Sequence, residues 1–208
     1  PFYIMTTVMD FGGQMDKTVA LAVTYDFKNN KMLVVDECVF PINTSTKDIV
    51  EDVRQMEANL DYIPEMRYVD GPGQIHVDLI NDFNFTCSKP AKYDWLASVN
   101  SLRVAIANNN ILISHNCKLL IATCKAGRFN KTRKDFARTE SLGHMDAIAC
   151  LMYANRMLDR STNPYPADTY DRDNQVVLRS TNEQDGMAKL ADMLTKVPDY
   201  KRVLRNKK

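Results

Sequence analysis

Two aspartates stand at the ends of apolar, β-branched stretches, and a glycine turn follows each of them. Asp10 follows "YIMTTVM" and precedes "FGG", and Asp70 ends "MRYVD" and precedes "GPG". Carboxylate oxygens are preferred ligands of Mg²⁺ and Mn²⁺, and a glycine backbone lets a phosphate approach closely. If the two strands are parallel neighbours, about 4.8 Å apart, both carboxylates converge at one edge of a sheet. Taken alone, each residue is also typical of a simple turn.

A third aspartate, Asp146, opens the apolar run "AIACLMYANRML". An acid at the start of a helix can be a cap or a partner of the helix dipole. A helix packed against the same end of the sheet would instead add this carboxylate to Asp10 and Asp70. Three carboxylates can hold two divalent ions about 3.5–4 Å apart, and such a pair activates water and stabilises the leaving oxygen in phosphodiester hydrolysis. The sequence therefore predicts a two-metal hydrolytic site.

Two further residues are candidates for this site. Asp16 closes the turn "GGQMD", where it could swing toward the metals or remain an exposed turn acid. His144 lies just before the last helix, where it could coordinate metal, position water, move protons or hydrogen-bond locally. Glu37 follows Asp36 on the third predicted strand, so the two side chains point to opposite faces, and we interpret Glu37 as structural. His76 and His115 have no acidic cluster nearby in the sequence, and we interpret both as structural.

A basic segment at 125–138, "KAGRFNKTRKDFAR", leads into the last helix. Its six basic residues face a single acid, Asp135, which makes the segment strongly positive in a chain of formal net charge +1. The basic residues are Lys125, Arg128, Lys131, Arg133, Lys134 and Arg138. Phe129 and Phe136 are interleaved and could pack on sugars or anchor the segment. It is either a solvated charge run or, as we expect, a loop or hairpin that contacts DNA phosphates without reading sequence.

Strands must position these residues, and three are predicted in the first part of the chain, at 3–9, 18–25 and 32–40. Short polar turns join them in an antiparallel meander. Two further strands are predicted at 66–70 and 111–114. A meander followed by βα units predicts an α/β fold with a mixed sheet, antiparallel at first and then parallel, and with helices on both faces.

Helical spacing separates and follows the later strands. The helices are predicted after the Thr and Ser caps of "NTSTKD", near Gln74, at 93–109, at 117–125 and from Asp146 onward. In the helix at 93–109, Leu96, Val99, Leu102 and Ile106 are expected to face inward. The predicted order is β-β-β-α-β-α-α-β-α-α.

Composition narrows the class of protein without naming a function. The 208 residues are 45% hydrophobic and 25% charged, which is typical of a globular domain, and no apolar run approaches the roughly 18 residues of a membrane span. Five cysteines without a CxxC pair are expected to be free thiols in a reducing compartment. We expect a nuclease-type domain at 1–158 and a polar linker with a basic tail at 159–208.

The chain resembles the C-terminal nuclease domain of viral terminase large subunits, the DNA-packaging motors of tailed phages. The resemblance covers roughly residues 4–158 and depends on "VMDFGGQMDKTVALAV", "YVDGPG" and the stretch from "ILISHNCKLL" to "GHMDAIACLMYANRML". It implies an RNase H-like fold and a two-metal (Mg²⁺ or Mn²⁺) endonuclease. Asp10, Asp70 and Asp146 fall on the acidic triad of the family, and Asp16 matches an acid often found after the first glycine turn.

One departure concerns Met145, since many members have an acid there, directly before the equivalent of Asp146. This leaves His144 or Asp16 as the candidate fourth ligand. No GxxxxGK[ST] loop occurs, so we expect the chain to be the nuclease portion of a longer protein that carries an ATPase. The resemblance implies action on double-stranded viral DNA in the host cytoplasm, with a portal protein and a small terminase subunit as partners and no membrane. The alternatives are another RNase H-like nuclease, such as a junction resolvase, and a non-cleaving DNA-binding or motor-docking module.

Overall fold

The computed structural model describes residues 3–12, 16–61, 63–132, 135–139 and 142–160. The strands are β1 (Tyr3–Asp10), β2 (Thr18–Asp26), β3 (Lys31–Phe40), β4 (Met66–Asp70) and β5 (Ile111–Ile113). The helices are α1 (Thr46–Asn59), α2 (Gly73–Asn81), α3 (Trp95–Ala107), α4 (Lys118–Ala126) and α5 (Asp146–Met157). Their order along the chain is the predicted one. The linker and tail predicted at 159–208 lie outside the described residues, apart from 159–160.

All five strands form one mixed sheet in the order β4-β1-β2-β3-β5. The first three strands pair antiparallel, as the meander predicts, whereas β4 pairs parallel with β1 and β5 pairs parallel with β3. The central strand β2 is buried along its whole length. Its alternating residues serve both faces: Val19, Leu21 and Val23 pack on one side, and Ala20 and Ala22 on the other.

Helices cover both faces of the sheet, so the chain has two apolar cores. One core joins the sheet to α3, α4 and α5, and the other joins it to α1 and α2. Ser45 caps α1 by accepting a hydrogen bond from the backbone N–H of Asp48 at 3.1 Å. The predicted fold class is therefore confirmed, with a mixed sheet and helices on either side.

The inward face of α3 differs from the prediction. Leu96 is 54% exposed and Ile106 is 40% exposed, whereas Val99 and Leu102 are buried as expected. Small residues of α3 meet α5 instead: Ser101 Oγ, for example, accepts a hydrogen bond from Asn155 Nδ2 at 3.2 Å. The buried face of α3 includes the small residues Ser98 and Ala105, which a count of large apolar residues misses.

Glu37 connects the far side of the sheet to the start of α4. Its two carboxylate oxygens accept hydrogen bonds from the backbone N–H groups of Leu119 at 2.7 Å and Leu120 at 2.9 Å. The N-cap residue of α4, Cys117, makes no side-chain capping bond of its own. Glu37 therefore satisfies the first turn of the helix from a distant strand, a structural role.

The five cysteines are all free, and Cys87, Cys117 and Cys150 are buried. Burial raises the pKa of each of these three thiols above its ordinary value. Within the described ranges, no helix is both long and apolar enough to cross a membrane.

Candidate active site

Asp10 and Asp70 lie side by side at the carboxyl ends of two parallel strands. They are register partners in the β1–β4 ladder, and the chain after Asp10 stays close because the backbone N–H of Phe11 donates to the Asp70 carbonyl oxygen at 2.8 Å. Val8 lies two residues before Asp10, and Tyr68 lies two residues before Asp70. Both side chains pack on the face of the sheet that α5 covers, and side chains two residues apart in a strand point to the same face. Both carboxylates therefore point toward α5, as the predicted convergence requires.

Helix α5 brings the third acid and a phenol to the same end of the sheet. Asp146 is the first residue of the helix and is only 5% exposed. Tyr153, two turns further on the same face, donates its hydroxyl hydrogen to Asp70 Oδ2 at 2.6 Å. Burial and the hydrogen bond to Asp70 raise the pKa of the Tyr153 phenol, which remains a proton donor at physiological pH.

The electrostatics of Asp10 indicate that the three carboxylates act on one another. Burial, followed by the nearby charges of Asp70 and Asp146, raises the pKa of Asp10 to about 8. His144 and Lys92 act in the opposite direction, as cations would. Close acids that disfavour each other's ionised form make a site that gains free energy when it binds cations.

Two side-chain cations already neutralise this group of acids. Lys92 Nζ lies 2.5 Å from Asp70 Oδ1. His144 Nδ1 lies 2.6 Å from Asp146 Oδ1, and its Nε2 lies 3.6 Å from Asp135 Oδ2. The hydrogen bond to Asp146 is the main reason that the pKa of His144 is raised to about 9. Protonated at neutral pH, this imidazole is a counter-ion of Asp146 in the metal-free protein.

The donor chemistry of the three acids fits divalent ions of the Mg²⁺ and Mn²⁺ type. As the side chains stand, however, the described residues contain no group of three or more His, Cys, Asp or Glu side chains that could hold an ion. The oxygens are engaged elsewhere: those of Asp70 by Lys92 and Tyr153, and Oδ1 of Asp146 by His144. Metal binding here requires these contacts to be released or shared.

A cleft of about 400 Å³ opens in front of these acids. Acidic, basic and aromatic side chains line it, among them Asp10, Asp70, Lys92, Trp95, His144 and Arg156. Asp146 is not among its lining residues, although the imidazole that holds it is. The cleft therefore gives direct access to two of the acids and reaches the third past His144.

Asp16 is held away from this role by an ion pair. Both of its carboxylate oxygens accept hydrogen bonds from Arg138, at 2.8 and 2.7 Å. The backbone of Gly12 lies close to that of Lys17, since a Cβ on Gly12 would lie 2.3 Å from the Lys17 carbonyl oxygen. Asp16 is also absent from the lining of the cleft. Its candidacy as a metal ligand remains a prediction that would need this bidentate pair to open.

The described part of the basic segment forms a small hairpin-like structure. Phe129 and Phe136 form a bridge, and both rings pack edge-on to Trp95 with centroids 5.4 and 5.3 Å away. The two phenylalanines therefore anchor the segment, which was one of the two predicted roles. Its basic side chains Lys125, Arg128, Lys131 and Arg138 are exposed, and Arg133 and Lys134 lie outside the described residues.

Sequence reasoning missed Lys92, Tyr153 and Arg156 as members of the site. Tyr153 follows Asp146 by two helical turns, so the periodicity of α5 could have indicated it. Lys92 reaches Asp70 from the segment between β4 and α3, and no local pattern announces such a contact. Arg156 stacks on the exposed ring of Tyr93, with the guanidinium carbon 3.8 Å from the ring centroid.

No protein-family model and no curated protein matches the chain. Solved structures do match its fold. The large terminase of a thermophilic bacteriophage aligns with TM-score 0.61 and 15% identity, over 76% of this chain and 40% of that one. The large terminase nuclease domain of bacteriophage SPP1, with bound Mn, aligns with TM-score 0.55 and 15% identity, over 74% of this chain and 86% of that one. The large terminase nuclease of thermophilic phage G20c, with bound magnesium, aligns with TM-score 0.55 and 17% identity, over 76% and 84%.

The chain has the fold of these large terminase nuclease domains, so the sequence-based resemblance is confirmed at the level of the fold. It spans about two fifths of the length of the larger terminase, since the alignment covers 40% of that protein. The mixed five-stranded sheet flanked by helices is the predicted RNase H-like arrangement.

Proposed function

We propose that this chain is a metal-dependent endonuclease that cleaves double-stranded DNA, the nuclease part of a phage terminase large subunit. One observation carries the proposal: Asp10 and Asp70 are register partners on parallel strands, and Asp146 raises the pKa of Asp10 from the facing helix. Several acids gathered at one end of a sheet, one of them with a raised pKa, are typical of hydrolytic metal sites. The fold shared with terminase nucleases supports the same conclusion.

Asp10, Asp70 and Asp146 would hold two divalent ions, Mg²⁺ or Mn²⁺. When bound, such ions supply an activated water and stabilise the charge that develops on the phosphate and the departing 3′ oxygen. Asp10 is the best placed to be shared between them, because the charges of both other acids act on it. Tyr153 fixes the orientation of Asp70, and His144 fixes that of Asp146.

The basic segment at 125–138 would position the duplex. Lys125, Arg128 and Lys131 are exposed cations without a base-reading motif around them, and Arg133 and Lys134 extend the same segment in the sequence. Such residues neutralise phosphates and give largely sequence-independent, salt-sensitive binding. Arg138 contributes less directly, since it is paired with Asp16.

The terminase resemblance also suggests the biological setting. Cleavage would occur when packaging of viral DNA begins and ends, in the host cytoplasm. An ATPase part, a portal protein and a small terminase subunit would complete the packaging assembly. These assignments are implied by the resemblance to terminases and are part of the proposal.

A second candidate is a DNA-binding or motor-docking module that does not cut. The observation in its favour is that Lys92, His144 and Tyr153 already occupy oxygens of Asp70 and Asp146. In that case the acids would have a structural role, and the exposed basic residues would only grip DNA or a portal protein.

Plasmid cleavage distinguishes the two candidates. The protein is incubated with supercoiled plasmid in Mg²⁺, in Mn²⁺ and in chelator, together with the variants Asp10→Ala, Asp146→Asn and the control Asp52→Asn, which alters an exposed acid of α1. We expect cleavage that needs metal, survives in the control and is lost in both site variants. Plasmid left intact by the unmodified protein, or cut equally by all variants, would contradict the nuclease proposal. A preference for branched over linear DNA would indicate a resolvase instead.

A further inference from the structure

Lys92 is an exposed member of the candidate site, and it holds Asp70, a buried acid that lines the cleft. Its ammonium group lies 2.5 Å from Asp70 Oδ1, and the Lys92 side chain is 60% exposed whereas that of Asp70 is 11% exposed. The other oxygen, Oδ2, is held by the buried hydroxyl of Tyr153. Asp70 thus has one fixed partner from a helix and one partner on a flexible, solvated stem.

The lysine contact lies on the side of Asp70 from which ligands arrive. Both Lys92 and Asp70 line the cleft in front of the acids. A divalent ion that takes Asp70 as a ligand approaches the same oxygen that the ammonium group now holds. Two cations on one carboxylate oxygen repel each other in a partly buried site, and this repulsion favours release of the ammonium group when the ion binds.

When DNA is present, the released ammonium group of Lys92 can contact a DNA phosphate. Lys92 is on the wall of the cleft, its stem is long and unbranched, and an ammonium ion binds phosphate as a point charge without demanding one geometry. A phosphodiester brought to the acids passes this wall. The same residue can therefore neutralise the acids before metal arrives and the DNA strand afterwards.

We propose that Lys92 is a displaceable counter-ion: it holds Asp70 in the metal-free protein, leaves when a divalent ion binds, and then contacts a DNA phosphate. The inference rests on the proposed nuclease function and assigns Lys92 a positioning role within it. Its consequence is a coupling between the two ligands. Metal binding frees a phosphate contact, and by linkage DNA that engages Lys92 favours metal binding equally.

Lys89 provides a matched control on the same segment. It is exposed and lies near Gly73 at the start of α2, and it does not line the cleft. Lys92→Met and Lys89→Met each remove one ammonium group while keeping a stem of similar length. Any general loss of positive charge affects both variants, whereas displacement from Asp70 affects only the first.

The first measurement is the affinity for Mn²⁺ without DNA, by titration calorimetry. Lys92→Met is expected to bind Mn²⁺ about 5-fold more tightly than the unmodified protein, because no ammonium group competes for Asp70. Lys89→Met is expected to match the unmodified protein. Lys92→Gln gives a second, more polar replacement should the methionine variant fold poorly.

The second measurement is the affinity for a short fluorescent DNA duplex across a range of salt concentrations. In Ca²⁺, an oxygen-seeking ion used here to load the site, Lys92→Met should bind DNA about 3- to 10-fold more weakly, with a salt slope smaller by about one. In chelator, Lys92→Met and the unmodified protein should bind DNA with similar affinity. In the unmodified protein the Lys92 ammonium group is then still held by Asp70 and makes no contact with a DNA phosphate. This dependence on metal separates a displaced counter-ion from an ordinary surface lysine.

Three results would overturn the inference: unchanged or weaker Mn²⁺ binding in Lys92→Met, equal effects in Lys89→Met, or a DNA defect of the same size with and without metal. If the unmodified protein cleaves plasmid and binds Mn²⁺ while Lys92→Met shows any of these, only the inference is wrong. If the unmodified protein binds no Mn²⁺ and leaves plasmid intact, the proposed function fails and this inference fails with it.

Discussion

Replacing Asp10 by asparagine should stabilise the metal-free protein. Asp10 is an acid whose pKa is raised in the folded state, from 3.8 to about 8, by burial and by the charges of Asp70 and Asp146. Between those two values the folded chain binds a proton that the unfolded chain has lost, so the stability of the unmodified protein falls as the pH rises. The amide of asparagine carries no charge and avoids this cost.

The size of the effect follows from the same pKa. A change from 3.8 to about 8 corresponds to a ceiling of about 6 kcal/mol at high pH, since each unit is worth about 1.4 kcal/mol. Lys92 and His144 already offset part of the repulsion, and the new amide group needs a partner of its own. We therefore expect Asp10→Asn to be more stable by about 2 kcal/mol near pH 8, well below that ceiling.

Urea denaturation measures this difference directly. In chelator, the stability advantage of Asp10→Asn should grow as the pH is raised from about 5 and should level off above about 8. With Mn²⁺ at about 100 times its dissociation constant, the unmodified protein should gain about 2.7 kcal/mol, while the variant gains far less. The order of stability should therefore reverse when metal is added.

Asp52→Asn, an exposed site on α1, is the control and should change stability by less than about 0.5 kcal/mol at every pH. The reasoning is refuted if Asp10→Asn is less stable than the unmodified protein near pH 8 without metal. A pH-independent difference would refute it as well, because the carboxylates would then not be acting on one another.

Substitutions at three further residues test the partners of the acids and the support of the fold. His144→Asn should lower the unfolding free energy by about 2 kcal/mol near pH 6 without metal. The loss should shrink as the pH rises through about 9, because the raised pKa of His144 contributes stability only while the imidazole is protonated. A loss that stays constant in urea denaturation across this pH range would contradict the reasoning. Tyr153→Phe should lower the unfolding free energy by about 1.5–3 kcal/mol, since it removes a buried hydrogen bond to the Asp70 carboxylate; a loss below about 0.5 kcal/mol would argue against that bond. Glu37→Ala should cost about 1–2 kcal/mol and Glu37→Gln about half as much, because glutamine keeps one acceptor for the first turn of α4; equal thermal denaturation of both variants and the unmodified protein would exclude the cap.

The strand pattern made the fold and the placement of the acids predictable. Alternation and turn chemistry indicate β1 to β3, and an acid at the end of a strand before a glycine turn points to the carboxyl edge of a sheet. The parallel pairing of Asp10 with Asp70 needed only the assumption that β1 and β4 are neighbours, which the sheet order confirms. Local rules suffice here because strand ends, unlike helix faces, have few alternative positions.

Long-range contacts between side chains were not predictable in this way. Lys92, which lies between α2 and α3, meets Asp70 on β4, and Arg138 meets Asp16 although the two are far apart in the sequence. The exposure of Leu96 depends on the tertiary packing of α3, which helical spacing alone does not specify. Such contacts depend on the paths of loops and on the packing of helices. Many small interaction energies determine both, and no local sequence pattern specifies them.

The structure also sharpens the consequence of having methionine at position 145. Met145 is fully buried in the apolar core beneath α5, so an acid at this position of the chain would need to be desolvated rather than reach the cleft. Asp16 is bound by Arg138, and a protonated His144 has no lone pair to offer on the nitrogen that faces Asp146. Under the proposed mechanism, if Asp16 stays paired with Arg138 and His144 stays protonated, three acids would be left for two ions, and oxygens of water and of the DNA phosphate would supply the remaining ligands. The affinity of the second ion would therefore depend on bound DNA, which is the same direction of coupling that the displacement of Lys92 produces.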